Sequence, residues 1–326
     1  MSTKYTAPTS RPAAAPAAAE SNNNNNMSDI TKVKLCSGHT RPVCHINYSE
    51  IINGTFWFVT SCHDAKPMLR NGQTGDWVGT FEGHKGAVFC SAFNNPATRL
   101  VTGSGDYSAM VWDAVNGHKL HSWNHPKYIK SCDWMENKIA TGCFDGVIRI
   151  YDSNKYDAEP VSFGEPDATN VKATYFIDPN TMVTSCENTI LKWDLRDVSA
   201  PYLRLEIPRL NFLEYTHRHS IVAAHEKSIS FIDTTSLEIK NSFTTSEGVE
   251  CASLSPNGQN VAAGSKLKAK EFTIDGTELE SNRGHHGPIF HIRWAPDGNS
   301  YATGAEDGMV RVWPSHEIIE KYESAT

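Results

Sequence analysis

The chain has 326 residues, 39% hydrophobic and 10% aromatic, enough for one large closed all-β unit or for two smaller domains. Its formal charge of -7 offers nucleic acid no overall attraction, so any RNA contact is expected to be local or indirect. No apolar run nears the roughly 18 residues of a membrane span, and the eight cysteines never occur as C-x-x-C, which fits reduced structural thiols better than a disulfide or zinc framework.

Residues 1–30 are expected to form a low-complexity, disordered tail. Pro8, Pro12 and Pro16 interrupt its alanines, and Asn22 to Asn26 bring no core-forming side chains. It lacks the leucine-rich centre of a secretory signal, with a transit peptide as the second reading. TKVKLCSGH at 31–39 then reads as a strand leading into a Gly-His pair. KPMLRNGQTGDWVGTFEGHKGAV (66–88) carries five glycines but neither G-x-x-x-x-G-K-[ST] nor G-x-G-x-x-G, so it is not a phosphate loop. Gly72 and Gly75 fit a turn, DWVGTF an outer strand, and Gly83-His84 the start of the next unit.

Further along, short alternating strands end on an aromatic residue: AMVWD (109–113), VIRIYD (147–152), ILKWD (190–194) and MVRVW (309–313). SPNGQNVAAGS (255–265) and APDGNSYATGA (295–305) repeat one turn-and-strand pattern 40 residues apart. Positions 70, 112, 151, 193, 232, 272 and 313 hold Arg, Trp, Tyr, Trp, Ile, Phe and Trp, at intervals of 39 to 42. Six residues before each stands Asp64, Asp106, Asp145, Glu187, Glu226, Lys266 or Asp307. Upstream lie Gly38-His39, Gly83-His84 and Gly284-His285; Asn124-His125 keeps only the histidine, and Gly164-Glu165 only the glycine.

Gly-His, then Asp, then Trp-Asp over about 40 residues resembles the WD40 repeat, the four-stranded blade of a β-propeller. The expected fold is therefore all-β: a seven-bladed WD40 β-propeller over 31–316, with a short C-terminal tail at 317–326. The segment 31–37 should complete the blade that ends at Trp313, so that no sheet edge stays open. What the resemblance implies is a buried tetrad in a blade, its histidine meeting the aspartate and a threonine and tryptophan completing it. The candidate members are His39, Asp64, His84, Thr102, Asp106, Trp112, His125, Thr141, Asp145, Trp193, His285, Thr303, Asp307 and Trp313.

Histidines beside acids also invite a catalytic reading, and Ser104, His84 and Asp106 are the types of a triad. A constellation copied once per repeat reads as scaffolding instead, and no unrepeated catalytic cluster stands out. No cofactor is expected, nor a metal: Cys62-His63 and His217-Arg218-His219 are isolated fragments. Lys266, Lys268 and Lys270 read as protection of an exposed edge strand, with phosphate contact as the alternative. Trp57, Trp77 and Trp123 fall outside the landmarks. Loops carrying the Gly-His and the Asp converge on one propeller face, where Arg41, His63, Lys127, Phe144, His225 and Glu306 are the candidate partner contacts. Arg70, at a tryptophan position, either donates to Thr60 or is free for a partner.

LRNGQTGDW, CSGHTRPV (36–43), MVWDAVNG (110–117) and GHHGPIFHIRWAPDGNSYATGAEDGMVRVW (284–313) closely resemble the serine/threonine kinase receptor-associated, or unr-interacting, protein family over about residues 34–313. The resemblance implies a non-catalytic scaffold for protein–protein interaction, cytoplasmic and also nuclear. Its partners would be Gemin and Sm-like subunits of the survival-of-motor-neuron complex, in spliceosomal ribonucleoprotein assembly, and receptor serine/threonine kinases of the TGF-beta type or their effectors. No membrane association is implied, and the propeller would be monomeric within a larger complex. The i subunit of translation initiation factor 3 is the alternative, since it shares the closing GHxGPI...PDG...GxEDGxVR pattern.

Overall fold

A computed structural model of the chain describes residues 31–165, 169–216 and 220–324. The tail expected over 1–30 and the His217-Arg218-His219 fragment lie outside the described residues. The alternating segments become 28 strands among the described residues, and these pair into seven four-stranded antiparallel sheets. Blade one holds the strands between 43 and 80, blade two 88–124, blade three 129–163, blade four 171–206, blade five 210–244 and blade six 251–283. The first strand of each blade packs against the first strand of the next, all the way round, so the ring closes as a seven-bladed propeller.

Blade seven carries the closure. Its strands Ile289–Trp294, Ser300–Ala305 and Val310–Pro314 are joined by Lys34–Cys36, with Lys34 opposite Val312 and Cys36 opposite Val310. Cys36 is 3% exposed and packs with Val43, Phe58, Ala302 and Val312, in the core between blades one and seven.

Sandwiching explains the burial pattern. Second strands such as Trp57–Cys62 and Thr181–Cys186 are buried on both faces because each blade is covered on both sides, whereas outer strands such as Trp77–Thr80 and Ile239–Thr244 face solvent. The cores accordingly lie between blades: Val101, Val111 and Cys90 of blade two pack with Ile129, Trp134 and Ile139 of blade three. The two Pro-Asn/Asp-Gly turns form as expected, with Gly258 (φ 74°) and Gly298 (φ 72°) in the left-handed region that a side chain would strain.

The short C-terminal tail expected over 317–326 carries most of a helix, His316–Glu323. Ser315 caps it by accepting from the Ile318 N–H, and Glu317 pairs with Lys321 one turn on. The His316 N–H donates to the buried carboxylate of Glu271 (3.0 Å), which ties the helix to blade six. One expectation needs correction: Lys268–Thr273 is no edge strand, since it pairs on both sides, with Asn260–Gly264 and Glu278–Arg283. Its Lys270 is buried and ion-paired with Glu278 at 2.8 Å, while Lys268 reaches Glu247 at 2.7 Å. Among the described residues no helix is long and apolar enough to cross a membrane.

Candidate functional site

Wherever a Gly-His loop precedes the first strand of a blade, the imidazole drops into the blade and meets the turn between its second and third strands. In blade two, His84 Nδ1 lies 2.9 Å from Asp106, Nε2 lies 2.7 Å from Thr102 Oγ1, and the Trp112 indole N–H donates to the same Oγ1 at 2.8 Å. Asp106 also accepts from the Lys85 N–H and the Ser108 hydroxyl. Blade seven repeats this with His285, Asp307 (3.0 Å), Thr303 (2.7 Å) and Trp313 (2.8 Å). Blade one brings His39 to Asp64 (2.8 Å) and Thr60 (2.7 Å). Burial alone would raise the Asp64 carboxyl, but hydrogen bonds from His39 and from the Lys66 backbone outweigh it and hold its pKa at about 2. Asp106 and Asp307 are held below the usual carboxylate range by the same balance.

Arg70 does neither of the two things expected of it. It is 3% exposed, which rules out a free partner contact, and its guanidinium donates to the carbonyls of Gly75 (3.2 Å) and Ser37 rather than to Thr60. Thr60 is already engaged by His39. Arg70 therefore fastens the closing segment to the first blade. Arg70→Met is expected to lower the melting midpoint by several degrees, since the buried Gly75 carbonyl and the Ser37 carbonyl lose their charged donor, at about 1–3 kcal/mol for such a loss, with protein–protein binding intact. A binding defect at unchanged stability would refute this.

Blade three departs as well. Asp145 does not reach His125; it accepts a two-pronged ion pair from Arg149 (2.9 and 3.4 Å). His125 Nε2 contacts Thr141 (3.0 Å) and the Tyr151 hydroxyl (3.2 Å), while Nδ1 has no partner among the described residues. The Asp145 carboxylate is taken by Arg149 instead, and with Asn124 in place of the usual glycine the His125 backbone N–H extends the preceding strand Lys119–Asn124 to the Tyr107 carbonyl (2.7 Å). In blade four, Trp193 donates to Thr184 (3.0 Å) with no histidine beside them.

Burial, then the nearby Arg149 charge, lowers the His125 pKa to about 4, and burial and Arg293 lower His45 to about 3. A histidine whose folded pKa is depressed contributes stability that is fully present above the unfolded value of 6.5 and is lost as pH falls toward the folded value. The melting midpoint should therefore drop between pH 6.5 and 4, with His125 contributing on the order of 3 kcal/mol. A midpoint flat over that window would contradict the assignment of a buried neutral His125.

His39, Cys62 and Asp64 converge closely enough to resemble a metal cluster, yet every one is engaged: both His39 nitrogens as above, and Cys62 Sγ with the Arg41 carbonyl (3.0 Å). All eight cysteines are free thiols, and burial pushes Cys44 up to about 12 and Cys186 to about 11, which makes them poor nucleophiles.

On the face bearing these loops, Arg41, Lys127 and Glu306 are exposed. His63 sits edge-on to Phe89 (5.5 Å), and Phe144 stacks on Tyr128 (4.4 Å). His225 is half-buried and bonded to Ser230 (2.8 Å). Blades one to three thus present aromatic rings and cations here, whereas the other blades carry Glu187, Glu226 paired with Arg209 (3.4 Å), Lys266 and Glu306. Phe89 and Tyr128 were not singled out by the repeat landmarks. Nor was the axial cavity of about 520 Å³ that the first strands enclose, lined by His45, Lys130, Asp133, Lys172, His291 and Arg293 among others. On its wall Arg293 pairs with Glu214, buried behind the lining, at 2.6 Å, and burial raises Asp133 to about 6 although backbone N–H groups of Phe176 and Trp134 partly offset it.

Residues 75–113, 117–152 and 276–314 match the "WD domain, G-beta repeat" family. Over 289 residues, 85% of this chain and 81% of the relative, the sequence is 39% identical to the serine-threonine kinase receptor-associated protein of Mus musculus. It is 35% identical to the protein of that name from Dictyostelium discoideum, of which it covers 97%. Eukaryotic translation initiation factor 3 subunit I of Anopheles gambiae is 28% identical over 86% of the chain.

Proposed function

Because the chain belongs to the serine-threonine kinase receptor-associated protein family, we propose that it is a scaffold that joins the survival-of-motor-neuron complex through small Sm-like subunits and links it to receptor serine/threonine kinase signalling. The observation that carries the reading is likeness over nearly the whole propeller, at 35–39% identity, including blades whose internal network has eroded. The fold suits the role. Its histidine–aspartate pairs face into blades and are used up in structural hydrogen bonds, while a rigid face with exposed charged and aromatic side chains is left for other proteins. RNA is reached through those partners, in cytoplasm and nucleus, because the acidic chain itself has little to offer phosphate.

Affinity purification of the intact protein from native extract, across a salt series, tests this. Gemin-like and Sm proteins that persist at moderate salt are the expected result. Recovery of a complete set of initiation-factor subunits instead would replace this reading with the initiation-factor one, which the 28% identity to subunit I keeps as the second candidate.

A further inference from the structure

Six of the seven innermost strands carry one residue that the pairing skips, always where the strand enters from the Gly-His side. These residues are Cys44, Phe89, Lys130, Lys172, Asn211 and Phe290. A bulge of this kind takes a side chain out of the strand's regular alternation and re-aims it, which is why bulges gather beside binding sites. Three consecutive ones, Lys130, Lys172 and Asn211, line the axial cavity.

Two of the cations there stand apart from the acids that share the lining. Among the described residues, neither lysine is in an ion pair. The Lys130 ammonium lies over the Phe89 ring, 3.9 Å from its centre, with no oxygen acceptor, and Lys172 donates only to the carbonyls of Glu187 (3.1 Å) and Leu210 (3.3 Å). The two cations stand at the same register position of adjacent strands and repel one another. Of the acids nearby, Glu214 is committed to Arg293, Ser253 and the Leu254 N–H, Asp133 to the N–H groups of Phe176 (2.8 Å) and Trp134 (2.9 Å), and Glu50 and Glu136 follow the far ends of the strands Val43–Tyr48 and Ile129–Met135. The same cavity wall holds two buried polar side chains, His291 (3% exposed) and Thr174 (1%), whose Nδ1 and Oγ1 have no partner among the described residues. Polar atoms buried without a partner are rare in folded proteins and mark places where something else completes the bonding.

We propose that the axial channel binds a small ligand with an anionic oxygen head, a phosphate monoester or a carboxylate, seated between Lys130 and Lys172, with hydroxyl groups on its body bonded to His291 and Thr174. The volume fits: about 520 Å³ lies within the few hundred to a thousand cubic ångströms usual for small-molecule sites. Phosphate and carboxylate share the chemistry that two ammonium groups recognise.

Calorimetric titration of the full chain at low ionic strength tests the site, with glucose 6-phosphate and gluconate as probes and glucose as the uncharged control. Saturable binding of one or both acids, at least tenfold weaker for Lys130→Met and absent for glucose, is the expected result, and the stronger arm tells phosphate from carboxylate. Lys130→Met keeps its stem over Phe89, so its melting midpoint without ligand should match the parent; a second variant, Lys172→Gln, must weaken the same probe. No saturable heat with either acid, equal binding by the variants, or binding only of an acidic peptide would overturn the proposal.

Discussion

Removing residues 31–37 is expected to open the propeller and to destabilise it more than any single substitution within a blade. Three losses coincide. The strand Val310–Pro314 is left with an unpaired edge, the core between blades one and seven loses Cys36, and Arg70 loses the Ser37 carbonyl that answers its buried charge. Together these should amount to about 4 kcal/mol or more, hence a melting midpoint lower by roughly 10 °C, accompanied by aggregation through the exposed edge. Size-exclusion chromatography and a melting curve check it, against a deletion of 1–27 that leaves the paired residues intact. Equal stability of the two truncations would mean that Lys34–Cys36 is not what closes the ring.

Replacing Asp106 by alanine should destabilise far more than the same change at Asp145. Loss of Asp106 leaves the His84 ring, the Lys85 N–H and the Ser108 hydroxyl without their acceptor, and a network broken at one member strands the others. With about 1–3 kcal/mol for each unmet buried group, and some relief from water at the half-exposed edge, a total of about 3 kcal/mol and a drop of roughly 6–12 °C follow. Asp145 holds only Arg149 and the Val147 N–H in a partly solvated turn, so its loss should cost about 1 kcal/mol. Thermal unfolding of the two variants side by side decides the matter: comparable drops would show that Asp145 supports its blade as Asp106 does, contrary to the bond pattern.

That contrast shows what was legible in the sequence. Blade number and closure followed from the 39- to 42-residue spacing and from TKVKLC, because strand alternation and turn chemistry are local and each blade must cover its neighbours. The networks of blades two and seven followed from complete motifs. His125 and Arg70 were misjudged for a shared reason: residue type was readable, but the partner depended on the competing Arg149 in one case and on a residue 33 positions away in the other. The helix at 316–323 carried a readable signal, a serine cap followed by Glu317 and Lys321, that the repeat pattern overshadowed. The bulged residues around the channel had none. Lys130 and Lys172 look like ordinary strand lysines until the pairing shows that each is skipped.

The shared blade also dictates a calendar. Cys36 leaves the ribosome among the first residues of the ring, and its pairing partner Val310 follows about 270 residues later, so the opening strand waits through nearly the whole of synthesis with its edge unanswered. Loop-closure entropy for such a span grows only as the logarithm of its length, so the delay weighs on the rate of folding and the risk of mispairing more than on the final stability. A nascent chain stalled before residue 310 should hold its first blades while remaining protease-sensitive at 31–37, and it would become resistant there only after release.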